Sequence, residues 1–217
     1  MERKESFVEG EYYHLYNRGV DKRTIFSMSK DYRRFLMLLY LANSRGDVRI
    51  ANVLRMAKLN DVFKLERGDP LVAIGAYCLM PNHFHLLVTP LTENGISKFM
   101  LKLQTGYSMY FNTKNERKGA LFQGPFRSVH ADNDRYLQYL YSYIHLNPAK
   151  LIDARWRKNV GSKDTLTRFV ESYLYSSYAA YINDFHTITE PAKFPEYFSS
   201  REEVEAHISN WLQEELD

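Results

Sequence analysis

The sequence has a single cysteine and no long apolar run. Cys78 is the one cysteine among 217 residues, so a disulfide within the chain is excluded and a reducing, intracellular environment is expected. The longest apolar stretch, Leu71 to Met80, has about half of the roughly 20 residues that a helix needs to cross a bilayer. No apolar segment typical of a signal peptide follows Met1. We therefore expect a cytoplasmic protein without a membrane partner.

The sequence also has no internal repeat, no low-complexity tract and a formal net charge of only +3. That charge is unevenly distributed. Residues 184–217 contain nine acidic and two basic side chains, a net of −7, so the preceding residues carry +10. A basic body suits a polyanionic partner such as nucleic acid. We predict a domain over residues 1–183, followed by an acidic helical tail over 184–217.

The hydrophobic patterns predict alternating strands and helices. Strands are expected at 12–17, 71–80, 83–89 and 127–131, and helices at 30–42, 96–110, 133–146, 165–179 and 201–214. The patterns of 48–51 and 53–63 are compatible with a further strand and a short helical insertion. The order of these elements predicts an α+β fold, with a ferredoxin-like antiparallel sheet, helices packed on one face and a C-terminal helical extension.

Two histidines flank one apolar residue in the predicted strand at 83–89. Successive side chains of a strand point to opposite faces, so His83 and His85 share one face and Phe84 points to the other. Two imidazoles make half of a metal site and leave positions for oxygen ligands, water and a phosphate oxygen. A structural zinc site is disfavoured because it usually needs four ligands, often thiolates. Magnesium or manganese fits this use, and manganese suits nitrogen ligands better.

Tyrosine is abundant, with 17 residues, and several lie in the predicted helix at 133–146. At about 100° per residue, Leu137, Leu140, Tyr141 and Ile144 form one apolar stripe. A second face carries Tyr136, Tyr139, Tyr143 and Asn147. We interpret Tyr136, Tyr139 and Tyr141 as the aromatic flank of the core. Tyr143 lies at the edge of the stripe, where a phenol is supported by packing and can still reach a substrate, and Asn147 lies one turn later, close enough to complete the coordination of a metal.

Four separated motifs together resemble the single-tyrosine HUH transposases, in particular their REP-associated tyrosine transposase branch. The motifs are Tyr13-His14-Leu15-Tyr16-Asn17-Arg18-Gly19, Ala76-Tyr77-Cys78-Leu79-Met80-Pro81-Asn82-His83-Phe84-His85, Leu121-Phe122-Gln123-Gly124 and Tyr143-Ile144-His145-Leu146-Asn147-Pro148. The run Tyr175-Ser176-Ser177-Tyr178 also resembles a segment of that branch. The order of the motifs is far more specific than a His-x-His pair alone.

The resemblance implies a role for each matching residue. His83 and His85 correspond to the histidines that bind a divalent metal, Tyr143 to the nucleophile, and Asn147 to the polar residue that assists the metal. The implied function is to nick and rejoin single-stranded DNA near hairpins through a 5′-phosphotyrosine intermediate. Two features depart from the family pattern: Pro125 stands where members often have a basic residue after Phe-Gln-Gly, and residues 52–70 resemble an insertion.

Basic side chains are candidates for holding the DNA backbone. The predicted contacts are Arg18, Lys114, Arg117, Lys118, Arg127, Arg155, Arg157 and Lys158. Two alternatives remain open at this stage: a non-catalytic hairpin-binding regulator of the same fold, and a metal-dependent RNA nuclease, which would not need Tyr143. The sequence is compatible with a monomer or a homodimer.

Overall fold

The computed structural model describes residues 6–46, 53, 59–152, 163–198 and 200–214. The strands are β1 (Tyr13–Arg18), β2 (Val72–Met80), β3 (His83–Pro90) and β4 (Arg127–His130). The helices are α1 (Ser29–Leu41), α2 (Leu59–Val62), α3 (Gly95–Lys114), α4 (Asp134–His145), α5 (Lys163–Ser172), α6 (Tyr178–Ile182) and α7 (Arg201–Glu214), with 3₁₀ turns at Val20–Lys22, Asn147–Leu151 and Pro191–Lys193.

The four strands form one antiparallel sheet in the order β2-β3-β1-β4. Strands β2 and β3 are joined by the turn at Pro81 and Asn82, and the chain order β1-α1-β2-β3-α3-β4 is that of a ferredoxin-like fold. The predicted α+β class and antiparallel sheet are therefore confirmed. In the register of β1 on β3, Tyr16 lies opposite His85 and Arg18 lies opposite His83, which brings both strands to one corner of the sheet.

The two faces of the sheet are covered by different helices. Helices α1 and α3 pack on one face, where Phe84, Leu86 and Val88 are fully buried. Helix α4 packs on the other face through the apolar stripe predicted for it, against Cys78 and Leu87 of the sheet. The helices predicted on one face therefore correspond to α1 and α3. The structure shows in addition that α4 covers the opposite face as a second layer.

Close packing of the second layer depends on small residues in β2. A Cβ atom at Gly75 would lie 2.9 Å from the ring of Phe194 and from the hydroxyl of Tyr141. Such a distance is shorter than van der Waals contact between these atoms, so glycine allows both aromatic side chains to approach the strand. Helix α4 is consequently held in a fixed position above the sheet, and so is any side chain that projects from its flank.

The single helix predicted over residues 165–179 is correct only for its first half. Helix α5 ends at Ser172, and a turn then leads into the short helix α6. At this turn the backbone N–H of Leu79 donates to the carbonyl of Tyr175 at 2.9 Å, and the N–H of Ser177 donates to the carbonyl of Tyr77 at the same distance. The hydroxyl of Tyr173 donates to the carbonyl of Leu79. These hydrogen bonds pair backbone groups along the edge of β2, and they are favoured over continuation of the helix.

The described part of the acidic segment after residue 183 packs on its own chain. Val204 and Ile208 of α7 are buried against Leu146, Val170 and Tyr178. The acidic segment is therefore held, over these residues, by apolar contacts with the body of the same chain. The division into a domain at 1–183 and a tail at 184–217 stays a prediction.

Several other predictions can be placed only in part. The strand at 48–51 lies outside the described residues, and of the helical insertion at 53–63 the structure describes Val53 and α2. Within the residues that the structure describes, no helix has both the length and the apolar character needed to cross a membrane.

Candidate active site

A pocket of about 330 Å³ opens at the corner of the sheet where β1 and β3 meet α4. Its walls carry both histidines of the predicted pair and the predicted nucleophile. The lining residues are Tyr16, Asn17, Arg18, Lys22, Asn82, His83, His85, Gln123, Arg127, Tyr143 and Lys150. Four of these side chains are lysine or arginine and none is a carboxylate, so the pocket suits an anionic ligand.

Each histidine of the pair is held through its Nδ1 atom. Nδ1 of His83 donates to Oδ1 of Asn82 at 2.6 Å, since an amide oxygen can only accept. Nδ1 of His85 lies 2.8 Å from Nε2 of His14. These bonds leave Nε2 of each imidazole as the nitrogen for a metal, and such an outer hydrogen bond is the usual way in which a protein orients a histidine ligand.

The three imidazoles of this corner are held in the neutral form. Burial lowers the pKa of His83 to about 4, and the nearby charges of Lys150 and Arg18 lower it in the same direction. Burial also lowers the pKa of His14 to about 4. The pKa of His85 is lowered well below its ordinary value by burial, by His14 and His83, and by Lys150. A neutral imidazole has the lone pair that binds a metal.

Tyr143 faces the histidine pair from helix α4. The centroid of its ring lies 5.5 Å from that of His85 and 5.7 Å from that of His14, with edge-to-face geometry in both cases. The helix is fixed at its start by Asn133, whose side chain accepts from the N–H of Tyr136 at 2.8 Å. Tyr143 is half-buried and Tyr141, two residues earlier, is buried in the core. In the structure, as predicted, Tyr143 lies at the edge of the apolar stripe of α4.

Asn147 is not among the residues that line the pocket. It follows the end of α4 and is 1% exposed. Its amide nitrogen donates to the carbonyl of Tyr143 at 2.7 Å, and its amide oxygen accepts from Nζ of Lys150 at 2.9 Å. Both polar atoms are thus used to close the end of the helix, and this geometry does not support the predicted contact of Asn147 with a metal.

Lys150 is a pocket residue that the sequence analysis missed. It lies in the 3₁₀ turn after α4, and its Nζ is 5.1 Å from the centroid of the Tyr143 ring. The helix ends at His145 and the chain then tightens into this turn, so the periodicity of α4 does not extend to residue 150. His14 was also missed as a partner of His85, although alternation along β1 places it on the same face as Tyr16.

The motif Leu121-Phe122-Gln123-Gly124 completes the pocket by packing against the end of β1. The N–H of Gln123 donates to the carbonyl of Arg18 at 2.8 Å, and Nε of Arg18 donates to the side chain of Gln123. A Cβ at Gly19 would lie 2.5 Å from the carbonyl oxygen of Arg23, so only glycine fits this turn. The turn directs Arg18 and Gln123 into the same wall.

The predicted DNA contacts divide into three groups. Arg18 and Arg127 line the pocket. Lys114, Arg117 and Lys118 do not: Lys114 forms an ion pair at 2.6 Å with the buried carboxylate of Asp31, and Arg117 donates to Asn112 and Ala120. Arg155, Arg157 and Lys158 lie outside the described residues.

The donor set at the pocket fits a divalent metal only in part. Among the residues that the structure describes, no three His, Cys, Asp or Glu side chains are grouped to hold a metal ion. The protein offers His83 and His85 as nitrogen ligands, and the remaining positions would be filled by oxygen atoms of water or of a substrate phosphate. Magnesium and manganese commonly keep such oxygen ligands.

Part of the sequence matches a known protein family. Residues 49–147 match the family model described as transposase IS200 like. His83, His85, Tyr143 and Asn147 all fall within the matched range, whereas β1 and Lys150 lie outside it. No curated protein matches the sequence.

The fold is similar to the solved structure of a REP-associated tyrosine transposase bound to a REP hairpin. The TM-score is 0.51 and the identity is 13%, with 88% of this chain and 90% of that chain covered. At this identity the similarity shows a shared fold. The match of residues 49–147 to an IS200-like transposase model, together with the shared fold, confirms the resemblance that the four motifs predicted.

Proposed function

We propose that the protein is a metal-dependent DNA transposase that nicks and rejoins single-stranded DNA near hairpins. The observation that carries this proposal is the convergence of Tyr143, His83 and His85 on one cationic pocket. The match to a transposase family supports the class of reaction. The similar fold whose structure contains a bound REP hairpin supports hairpin DNA as the substrate.

In the proposed reaction, the phenol oxygen of Tyr143 attacks the phosphorus of one phosphodiester. A bond forms between that oxygen and phosphorus, the bond between phosphorus and the 3′ oxygen breaks, and the phenol proton is transferred overall to the 3′ oxygen. The strand is left with a 3′ hydroxyl and a 5′ phosphate joined to Tyr143. Because the phosphotyrosine retains the energy of the diester, a second 3′ hydroxyl reverses the step and joins a new strand without ATP.

The residues of the pocket have separate tasks in this reaction. His83 and His85 would hold a divalent metal, magnesium or manganese, which when bound offsets negative charge at the phosphate. His14 and Asn82 orient the two imidazoles through their Nδ1 atoms. Arg18 and Arg127 attract the backbone of the strand toward the pocket. Tyr143 would supply the attacking oxygen from the wall of the pocket that it lines.

A covalent adduct tests the proposal directly. Hairpin DNA with a single-stranded flank, labelled at the 3′ end of the strand so that the label stays 3′ of the cleaved bond, is incubated with the protein and manganese and then analysed under denaturing conditions. We expect a labelled protein band in the wild type, and no such band in Tyr143→Phe, because this change removes the attacking oxygen. Tyr139→Phe is the matched control on the same face of α4 and should form the adduct.

The alternative outcomes separate the competing functions. An adduct in Tyr143→Phe would assign the attack to another tyrosine. Tight hairpin binding by the wild type without any adduct, across magnesium and manganese concentrations, would indicate the non-catalytic regulator. Cleavage of RNA that persists in Tyr143→Phe would indicate a nuclease in which water attacks.

A further inference from the structure

The turn that follows α4 presents a cation to the pocket beside the proposed nucleophile. Nζ of Lys150 lies 5.1 Å from the centroid of the Tyr143 ring, and Lys150 lines the pocket together with His83 and His85. The charge of Lys150 also contributes to the lowered pKa values of both histidines, which places it within electrostatic range of each. Lys150 is therefore close to the nucleophile and to the two imidazoles at the same time.

The position of Lys150 is set by Asn147. Oδ1 of Asn147 accepts from Nζ of Lys150 at 2.9 Å, while Nδ2 donates to the carbonyl of Tyr143 at 2.7 Å. Asn147 is buried, and the intervening Pro148 and Ala149 are buried as well. The amide thus links the backbone of the nucleophile to the ammonium group, so that Tyr143 and Lys150 keep one relative position.

The chemistry of the pocket indicates what the ammonium group binds. An ammonium donates three hydrogen bonds, so a bond to Asn147 is compatible with simultaneous donation to another acceptor. The pocket lining combines four cationic side chains with the two imidazoles, so its charge favours an anionic ligand. A phosphodiester attacked by Tyr143 would bring its two non-bridging oxygens, which share one negative charge, next to Nζ, and hydrogen bonds between charged groups are the strong ones.

We propose that Lys150 is a catalytic residue that contacts the scissile phosphate, and that Asn147 is the residue that positions it. This inference rests on the proposed function, because it takes the phosphate attacked by Tyr143 as the ligand. It assigns Asn147 a task different from metal binding. Lys150 would neutralise the phosphate from the side of α4, opposite the β-strand that carries His83 and His85.

The test is a scan that neutralises the phosphates of the DNA one at a time and uses a protein variant that cannot cleave. Hairpin DNA is prepared with a methylphosphonate at one position of the single-stranded flank at a time, and its affinity for the Tyr143→Phe protein is measured in EDTA. Beside any positions that Arg18 and Arg127 contact, we expect one position whose sensitivity depends on Lys150 and at which neutralisation weakens binding about 10-fold or more, the effect of losing a hydrogen bond between charged groups. In Tyr143→Phe/Lys150→Gln, that position should show no further loss.

Two control variants determine whether the effect is specific. Lys150→Arg keeps the charge and should retain the sensitivity at the same position. Lys98→Gln removes an exposed lysine of α3, on the other side of the sheet, and should give the same profile as Tyr143→Phe alone. An unchanged profile in Lys150→Gln, or an equal loss at every position, would overturn the assignment.

The phosphate whose neutralisation weakens binding through Lys150 is then compared with the phosphate that becomes joined to Tyr143. The second phosphate is identified by sequencing the DNA of the wild-type adduct. The proposal requires the two to be the same, and different positions overturn it. If the wild type forms no adduct, the proposed function fails by itself. In that case the catalytic role fails with it, while the scan still reports whether Lys150 contacts a phosphate.

Asn147 is tested through its effect on Lys150. Asn147→Ala should reduce the sensitivity at the same phosphate, and adding Lys150→Gln to it should cause little further change, since both act through one contact. The manganese concentration for half-maximal adduct formation should be the same in Asn147→Ala and the wild type. A clear increase in that concentration would make Asn147 a metal ligand and overturn the positioning role.

Discussion

Alternate residues of β3 belong to two different regions of the molecule. Phe84 points to the face covered by α1 and α3, where it is completely buried among apolar side chains. His83 and His85 point to the face covered by α4, where the helix leaves the corner of the sheet open as a pocket. One face stabilises the fold, and the open corner of the other presents polar groups to a ligand. The same strand therefore carries stability and chemistry on opposite sides.

The largest expected difference between the two faces is in cleavage. His83→Ala should abolish formation of the proposed Tyr143 adduct in manganese, because one of the two proposed nitrogen ligands is lost. Excess EDTA should abolish it in the wild type for the same reason. The measurement is the adduct assay, with chemical denaturation as the control for folding. Undiminished adduct formation in EDTA would contradict the proposed dependence on a metal. Global unfolding of His83→Ala would contradict the view that His83 serves cleavage and not folding.

The apolar face should respond to substitution through stability. Phe84→Ala is expected to lower the free energy of unfolding by about 3–5 kcal/mol, since it leaves a cavity in a closely packed core. His83 is half-buried, so we expect His83→Ala to cost far less than Phe84→Ala. Urea denaturation of both variants measures this difference. Equal losses of stability would mean that the corner of the pocket is as important for folding as the core.

Lys114 and Lys150 provide a second contrast between the faces. Lys114 is paired with the buried carboxylate of Asp31, whereas Lys150 lies in the pocket. Lys114→Met leaves that carboxylate without its cation, which should cost about 3 kcal/mol of unfolding free energy at neutral pH. We expect DNA affinity to be unchanged once folding is accounted for. A specific loss of DNA affinity in folded Lys114→Met would restore its predicted role as a DNA contact.

The effect of Lys114→Met should also depend on pH. Burial by itself would raise the pKa of Asp31, but hydrogen bonds from Lys114, Tyr110, Met28 and Ser27 lower it overall. A lowered pKa means that the ionised carboxylate adds stability above the unfolded value of about 4, and that this stability is lost as the pH falls through the folded value. The difference between wild type and variant should therefore shrink in acid. A difference that stays constant down to low pH would show that lost packing, not charge, is responsible.

The smallest expected effect is on the salt dependence of binding. Arg18 and Arg127 line the pocket and are exposed. If each contacts one phosphate of a single strand, replacing both with glutamine should flatten the log–log salt slope by about 1.4, or 0.7 for each contact. Lys98→Gln is again the control and should leave the slope unchanged. An unchanged slope in the double variant would mean that these arginines face solvent in the complex.

Sequence patterns predicted the secondary structure well where local periodicity agrees with the tertiary environment. The predicted strand at 83–89 and the observed β3 differ by one residue, and the apolar stripe of α4 was identified correctly. The failure at residues 165–179 has a physical cause. After α5 the carbonyl of Tyr175 and the hydroxyl of Tyr173 form hydrogen bonds with the edge of β2. The sequence of residues 165–179 does not reveal that this edge lies beside it.

The sequence by itself determined which side chains are available for chemistry. Alternation along a strand places His83 and His85 on one face, and helical periodicity places Tyr143 at the edge of an apolar stripe. These are local regularities of the backbone, so they follow from residue spacing alone. The resemblance of four separated motifs indicated a class of protein, and residues 49–147 match a model described as transposase IS200 like.

Only the tertiary structure decided which of these groups meet and what else stands beside them. The pairing of β1 with β3 brings His14 to His85, and the packing of α4 on the sheet brings Tyr143 to both. The end of α4 turns Asn147 inward and Lys150 into the pocket. Residues 14, 85 and 150 are far apart along the chain, and their proximity depends on register and helix packing. No short-range pattern encodes that proximity, because it results from the burial of the whole core.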